Sequence, residues 1–148
     1  MNDKEEVSET KQNLAFKNVH VLVAEDNKIN QKLIINVLHR LGIEVTIANN
    51  GKEALEQRMK HEYDMIFMDI EMPVMGGMEA TGQIISYERK NHKSHIPIVA
   101  LTANALSGDR EKYMSAGMDS YLSKPIDLGA LNHLFETYFE DRIIQGKA

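Results

Sequence analysis

The chain has 148 residues, 43% of them hydrophobic and 26% charged, which is enough apolar material for one self-supporting domain. A formal charge of -5 and a pI near 5.7 exclude the basic face of a general nucleic-acid binder, so no direct contact with nucleic acid is expected. Zero cysteines exclude a disulfide framework and any cysteine-based metal site or nucleophile.

No apolar run reaches the roughly 18 residues of a membrane span, and no signal-peptide pattern is visible. The expected location is therefore cytoplasmic, with no membrane contact by this domain, whatever anchor a longer parent protein carries. In chain order, residues 1–17 are polar and charged, without periodicity until Leu14 and Phe16, which predicts a flexible tail or linker. Apolar runs rich in branched residues then recur at 19–24, 43–48, 65–68 (closing on Asp69), 96–101 and 121–122. Helix-like stretches at 28–41, 52–60, 77–90, 107–116 and 127–139 alternate with them. In the first helix Asn30, Ile34, Val37, Leu38 and Leu41 share one side at about 100° per residue, and Gly42 stops it. Leu131, Leu134, Phe135 and Tyr138 do the same in the last helix. Strands without polar alternation, each followed by a helix, predict an α/β fold with a doubly wound, five-stranded parallel sheet. The expected strand order is the flavodoxin-like 2-1-3-4-5, with helices on both faces. One domain over 18–140 is expected, with a C-terminal tail at 141–148.

Open parallel sheets gather their chemistry beyond the carboxyl ends of the strands. There the first strand delivers Glu25, Asp26 and Asn27, the third Asp69, the fourth Thr102, and the fifth leads into Lys124 and Pro125. Adjacent first and third strands bring Asp69 beside Glu25 and Asp26. Three clustered carboxylates repel one another unless a cation resides among them. Mg²⁺ suits such a site, because it accepts a few oxygens while keeping waters and a phosphate oxygen. A strand-end carboxylate can act as nucleophile in phosphoryl transfer, with Lys124 and the Thr102 hydroxyl positioned for the phosphoryl oxygens. Taken singly, each of these residues reads as a cap, turn or solvated loop position; the combination at successive strand ends carries the argument.

The segments VLVAEDN (21–27), MDIEMPVMGG (68–77), ALTA (100–103) and YLSKP (121–125), in this order and spacing, resemble the receiver domains of two-component response regulators and hybrid histidine kinases. The resemblance covers about 19–140. It implies that Asp69 is the phosphoacceptor and Asp26 a direct Mg²⁺ ligand, with Glu25 acting largely through water and Glu71 through its backbone carbonyl. It also implies that Thr102 moves toward the phosphoryl group, that Lys124 pairs with it, and that Tyr121 is an aromatic that turns inward with the threonine. A cis peptide before Pro125 belongs to the same pattern. EDN followed by Asn30, then MPVMGG and LTANAL, is most similar to receivers attached to hybrid sensor kinases; a stand-alone single-domain regulator is the alternative. Glu71 and Asn104 occupy positions that affect water access to the acyl phosphate, and the small Ala103 leaves the pocket open.

Such a domain catalyses its own phosphorylation and dephosphorylation, but this chain shows neither an ATP-binding glycine-rich segment nor a phosphoacceptor-histidine helix. His39 reads as a surface histidine. The resemblance implies a phosphohistidine donor on a histidine kinase or histidine phosphotransfer domain. Ile29 and Leu33, beside the buried stripe of the first helix, form an apolar pair able to pack against such a partner. A phosphatase of the haloacid-dehalogenase type would want Asp-x-Asp on the first strand, and a degenerate, binding-only receiver would lack part of the acid, threonine and lysine set; neither description fits.

Overall fold

The computed structural model describes residues 14–103 and 109–144. Residues 1–13 of the tail expected at 1–17, Asn104, the first two residues of the helix expected from 107, and residues 145–148 of the tail expected at 141–148 lie outside them.

The elements run β1 (Ala15–Phe16), β2 (His20–Ala24), α1 (Lys28–Arg40), β3 (Glu44–Ala48), α2 (Gly51–Lys60) and β4 (Met65–Asp69). They continue with α3 (Gly77–Lys90), β5 (Ile98–Thr102), α4 (Asp109–Ser115), β6 (Ser120–Ser123), α5 (Leu128–Tyr138), a 3₁₀ turn (Glu140–Arg142) and β7 (Ile143–Ile144). The main sheet is five-stranded, in the order β3-β2-β4-β5-β6, and every pairing in it is parallel. Counted over these five strands alone, that is the expected 2-1-3-4-5.

Strand side chains alternate between the two faces, which explains why the central strands lack polar alternation. Val21 and Val23 join Ile34, Leu38, Phe67, Val99, Leu101 and Phe135 in a core layer beneath α1 and α5. Leu22 and Ala24 join Ala54, Ile66, Met68, Ala80, Ile84 and Tyr113 in a second layer beneath α2, α3 and α4. Both faces are buried, so both alternating sets are apolar.

Local signals set the helix ends. The side chain of Asn27 accepts the Asn30 N–H at 3.0 Å and caps α1. Gly42 ends it at φ +78°, donating to the His39 carbonyl at 2.9 Å. The buried side of α1 includes Gln31, a polar residue that an apolar pattern passes over; Asn30 is only half-buried. At the start of α3, Gly77 lets the helix approach the backbone carbonyl of Asp69 so closely that an added Cβ would overlap it.

The structure differs from the sequence expectation at the termini. Ala15 and Phe16, expected in the flexible lead-in, pair antiparallel with Ile144 and Ile143, expected in the C-terminal tail. Phe16 is buried, its ring centroid 5.7 Å from that of Phe135. Arg142 Nη1 fastens this ribbon, 2.7 Å from the Asn18 carbonyl and 2.9 Å from Asp64 Oδ1. A two-residue strand is too short for periodicity to reveal, and its pairing partner lies over a hundred residues away.

Candidate functional site

The parallel ladder runs on past the strand ends. Glu25 N–H donates to the Ala48 carbonyl at 3.0 Å, Ile70 N–H to Leu101 at 3.1 Å, and Lys124 N–H to Thr102 at 2.8 Å. Ala24 pairs with Met68, so the next residue of each strand, Glu25 and Asp69, stand side by side. Glu25, Asp26 and Asp69 each offer a carboxylate oxygen within 4.8 Å of the others. Among the described residues this is a group able to hold a metal ion. The donor set is all oxygen, without His or Cys, which fits a hard cation; exposed Asp26 leaves room for water ligands.

Lys124 Nζ lies 3.1 Å from Glu25 Oε1 and 3.1 Å from Asp69 Oδ2. The Lys124 ammonium thus pairs with two of the three clustered acids and leaves Asp26 to others, so a further cation is electrostatically welcome. Asp69 is 4% exposed. Its burial, and next the charge of Glu25, push its carboxyl up to about 6, against the pull of Lys124 and of the Glu71 N–H, which donates to Asp69 Oδ1 at 3.3 Å. Burial of the Lys124 ammonium opposes its charge, but the bonds and charges of Glu25 and Asp69 outweigh that and raise its pKa.

These side chains line a cleft of about 400 Å³, together with Glu71, Thr102, Ala103, Lys112 and Tyr113. Of the residues singled out from sequence, Glu25, Asp26, Asp69, Glu71, Thr102 and Lys124 therefore come together. Tyr121 is half-buried on β6, outside this lining, with the Arg110 guanidinium 6.0 Å from its ring centroid. The Lys124–Pro125 peptide is cis. Ile29 and Leu33 are 70% and 58% exposed, one helical turn apart on α1. Leu33 borders a second, mainly apolar groove of about 280 Å³ with Ile34, Val37, Pro125 and Ile126, which shares Glu25 and Lys124 with the cleft. His39 is exposed.

Sequence reasoning missed two supports. Gln31 Nε2 donates to the Glu25 carbonyl at 2.6 Å and to Asn49 Oδ1 at 2.9 Å, fixing the backbone of the acid loop. The Tyr113 hydroxyl lies 2.8 Å from Thr102 Oγ1. A polar residue on the side of α1 that buries Ile34 and Leu38 was the available signal for Gln31, whereas Tyr113, the one buried residue of α4, carried none.

Known proteins agree with this architecture. The chain is 47% identical over 124 residues to Hybrid signal transduction histidine kinase I of Dictyostelium discoideum, a match covering 79% of this chain and 7% of that protein. It is 35% identical over 121 residues to the polar-differentiation response regulator DivK of Brucella anthropi, covering 82% of this chain and 96% of that one. Among solved structures, a chain in the complex of the Saccharomyces cerevisiae histidine phosphotransfer signaling protein Ypd1 with the receiver domain of its downstream response regulator Ssk1 superposes with TM-score 0.79 and 34% identity. That match covers 84% of this chain and 90% of the other. The receiver domain of sensor histidine kinase PA1611 from Pseudomonas aeruginosa PAO1, with magnesium coordinated in its active-site cleft, gives TM-score 0.72 and 39% identity, covering 81% and 96%. The family described as Response regulator receiver domain matches residues 21–136, and the chain belongs to it.

Proposed function

We propose that this domain accepts a phosphoryl group from a phosphohistidine onto Asp69 and passes the event to its surface through Thr102 and Tyr121. The observation that carries the proposal is the placement of the Lys124 ammonium 3.1 Å from both Glu25 and Asp69, beside Asp26. An Asp69 carboxylate oxygen attacks phosphorus as the bond to the imidazole nitrogen of the donor breaks, leaving an acyl phosphate and a free histidine. Lys124 is placed to shift from the carboxylate toward the incoming phosphoryl oxygens. The Glu71 N–H restrains the Asp69 carboxyl, and the Thr102 hydroxyl is a donor for a phosphoryl oxygen. Glu25, Asp26 and Asp69, with the Glu71 carbonyl, would hold Mg²⁺, which when bound offsets charge on the phosphoryl oxygens.

The donor is a histidine kinase or histidine phosphotransfer domain, and Ile29 and Leu33 form part of the surface it covers. The likeness to the receiver partnered with Ypd1 and the apolar groove beside Leu33 support this. The domain spans 18–140, with the β1–β7 ribbon of residues 15–16 and 143–144 packed against it, and the residues beyond that ribbon act as connections within a hybrid sensor kinase. A stand-alone regulator is the second reading, favoured by a match that spans 96% of DivK. Among the described residues no helix is long and apolar enough to cross a membrane. The test is transfer from a radiolabelled phosphohistidine protein: Asp69→Asn and excess chelator should each reduce labelling at least tenfold. Undiminished labelling in either case refutes the assignment.

A further inference from the structure

Tyr113 takes no part in the chemistry above, yet its hydroxyl touches one of the residues that does. Its ring belongs to the core layer containing Ile84, Ala100 and Met118, so packing accounts for an aromatic at this position. Packing does not require the oxygen. The hydroxyl is directed at the rim of the acid cleft, which Tyr113 lines together with Asp69, Thr102 and Lys124, and it lies 2.8 Å from Thr102 Oγ1. Both residues are 4% exposed, so water competes poorly for either oxygen.

The consequence follows from the chemistry of two hydroxyls. Phosphoryl oxygens only accept, so Thr102 must offer its proton to them. A threonine hydroxyl changes direction by a jump between staggered χ1 wells, not by a gradual drift. With Thr102 as donor to the phenol, its one proton cannot also serve a phosphoryl oxygen, and a χ1 jump toward the phosphoryl group carries Oγ1 away from Tyr113, so the two arrangements are alternatives. Because Tyr113 sits on α4 and Thr102 ends β5, the bond also links the hydroxyl's orientation to the seat of α4.

We propose that Tyr113 is a positioning residue: its phenol holds the Thr102 hydroxyl in the resting arrangement, so that filling the phosphoryl site breaks the Thr102–Tyr113 bond and loosens α4. The inference rests on the assignment of Asp69 and Thr102 given above. The phenol opposes the switch, and removing it should make the switch easier.

The experiment titrates the full chain with beryllofluoride in the presence of Mg²⁺, following backbone amide chemical shifts. Tyr113→Phe keeps the ring, and Tyr113→Met fills the volume with a different shape, so the two variants share only the missing hydroxyl. Both should bind about three- to tenfold more tightly than the parent, the range expected for loss of one buried hydrogen bond. In both, the displacement of the α4 amides on binding should shrink while that of Thr102 persists. Equal or weaker binding in either variant, or an α4 displacement of full size, overturns the inference while leaving the Asp69 site intact. A parent chain that shows no Mg²⁺-dependent response overturns the site assignment and this inference together.

Discussion

Asp69 is held in a protonation balance that the protein cannot satisfy alone. Its carboxyl is raised from 3.8 to about 6 by burial and by Glu25, with Lys124 only partly offsetting them. Between those two values the folded chain keeps a proton that the unfolded chain has released. The contribution of Asp69 to the stability of the metal-free protein therefore falls as pH climbs from 3.8 to about 6 and levels off above that. A divalent cation among the three acids favours the ionised carboxylate and so offsets both burial and the charge of Glu25; the rise in Tm on adding magnesium chloride should therefore be small near pH 4.5 and about several degrees near pH 7. Thermal melts across that range check it, with Asp69→Asn expected to flatten the metal-free slope. A magnesium effect of the same size throughout would mean that Asp69 is not the acid under strain.

The helices and strands show a second electrostatic device at the opposite end of the sheet. Arg58 on α2 is fully buried, its Nε 3.1 Å from Glu88 Oε2 on α3 and its Nη2 3.2 Å from the Ser94 carbonyl. Glu88 also accepts the Ile96 N–H at 3.1 Å and bonds His95 Nδ1 at 2.8 Å, while His95 Nε2 reaches Asp119 Oδ2 at 2.8 Å. The network ties two helices to the segments that feed β5 and β6. Removing one partner strands a buried charge, whereas removing both does not. Arg58→Met should cost about 3 kcal/mol in urea unfolding, and the double change Arg58→Met, Glu88→Leu should recover part of it. A double variant less stable than the single one would show that the network stabilises beyond pairing. None of this was legible in the sequence, because pattern reading treats Arg58 and Glu88 as solvated helix positions. The strand ends were legible, because a parallel sheet puts its reactive residues where apolar runs stop, and Glu25, Asp69 and Lys124 stand there unmistakably. Gln31 and Tyr113 escaped because a buried polar group makes sense only once its partner, far away in sequence, is known.

At the scale of the whole molecule the two poles are separated. The β1–β7 ribbon and the Arg142 clasp to Asn18 and Asp64 draw the first and last described residues together, and Asp64 lies just before the start of β4, whereas the acid cleft lies beyond its end. Connections to other parts of a protein can thus leave from one pole while a donor docks at the other. The pole that holds the acid cleft carries Ile29 and Leu33, two large apolar side chains exposed at 70% and 58% one helical turn apart on α1, with Leu33 lining the apolar groove that adjoins Lys124. Single exposed apolar residues need no explanation, but two neighbouring ones, of which Leu33 lines a groove that shares Glu25 and Lys124 with the acid cleft, do. Burying Ile29 against a helical partner would contribute roughly 1.5 to 3 kcal/mol, and placing a carboxylate there would also repel an acidic partner surface. Ile29→Asp should therefore slow transfer from a phosphohistidine protein by at least tenfold, while acetyl phosphate, which needs no docking surface, phosphorylates Asp69 at the parental rate. Parallel time courses with the two donors decide it: an equal loss with both would place the effect in the acid cleft, and no loss with either would move the docking face elsewhere.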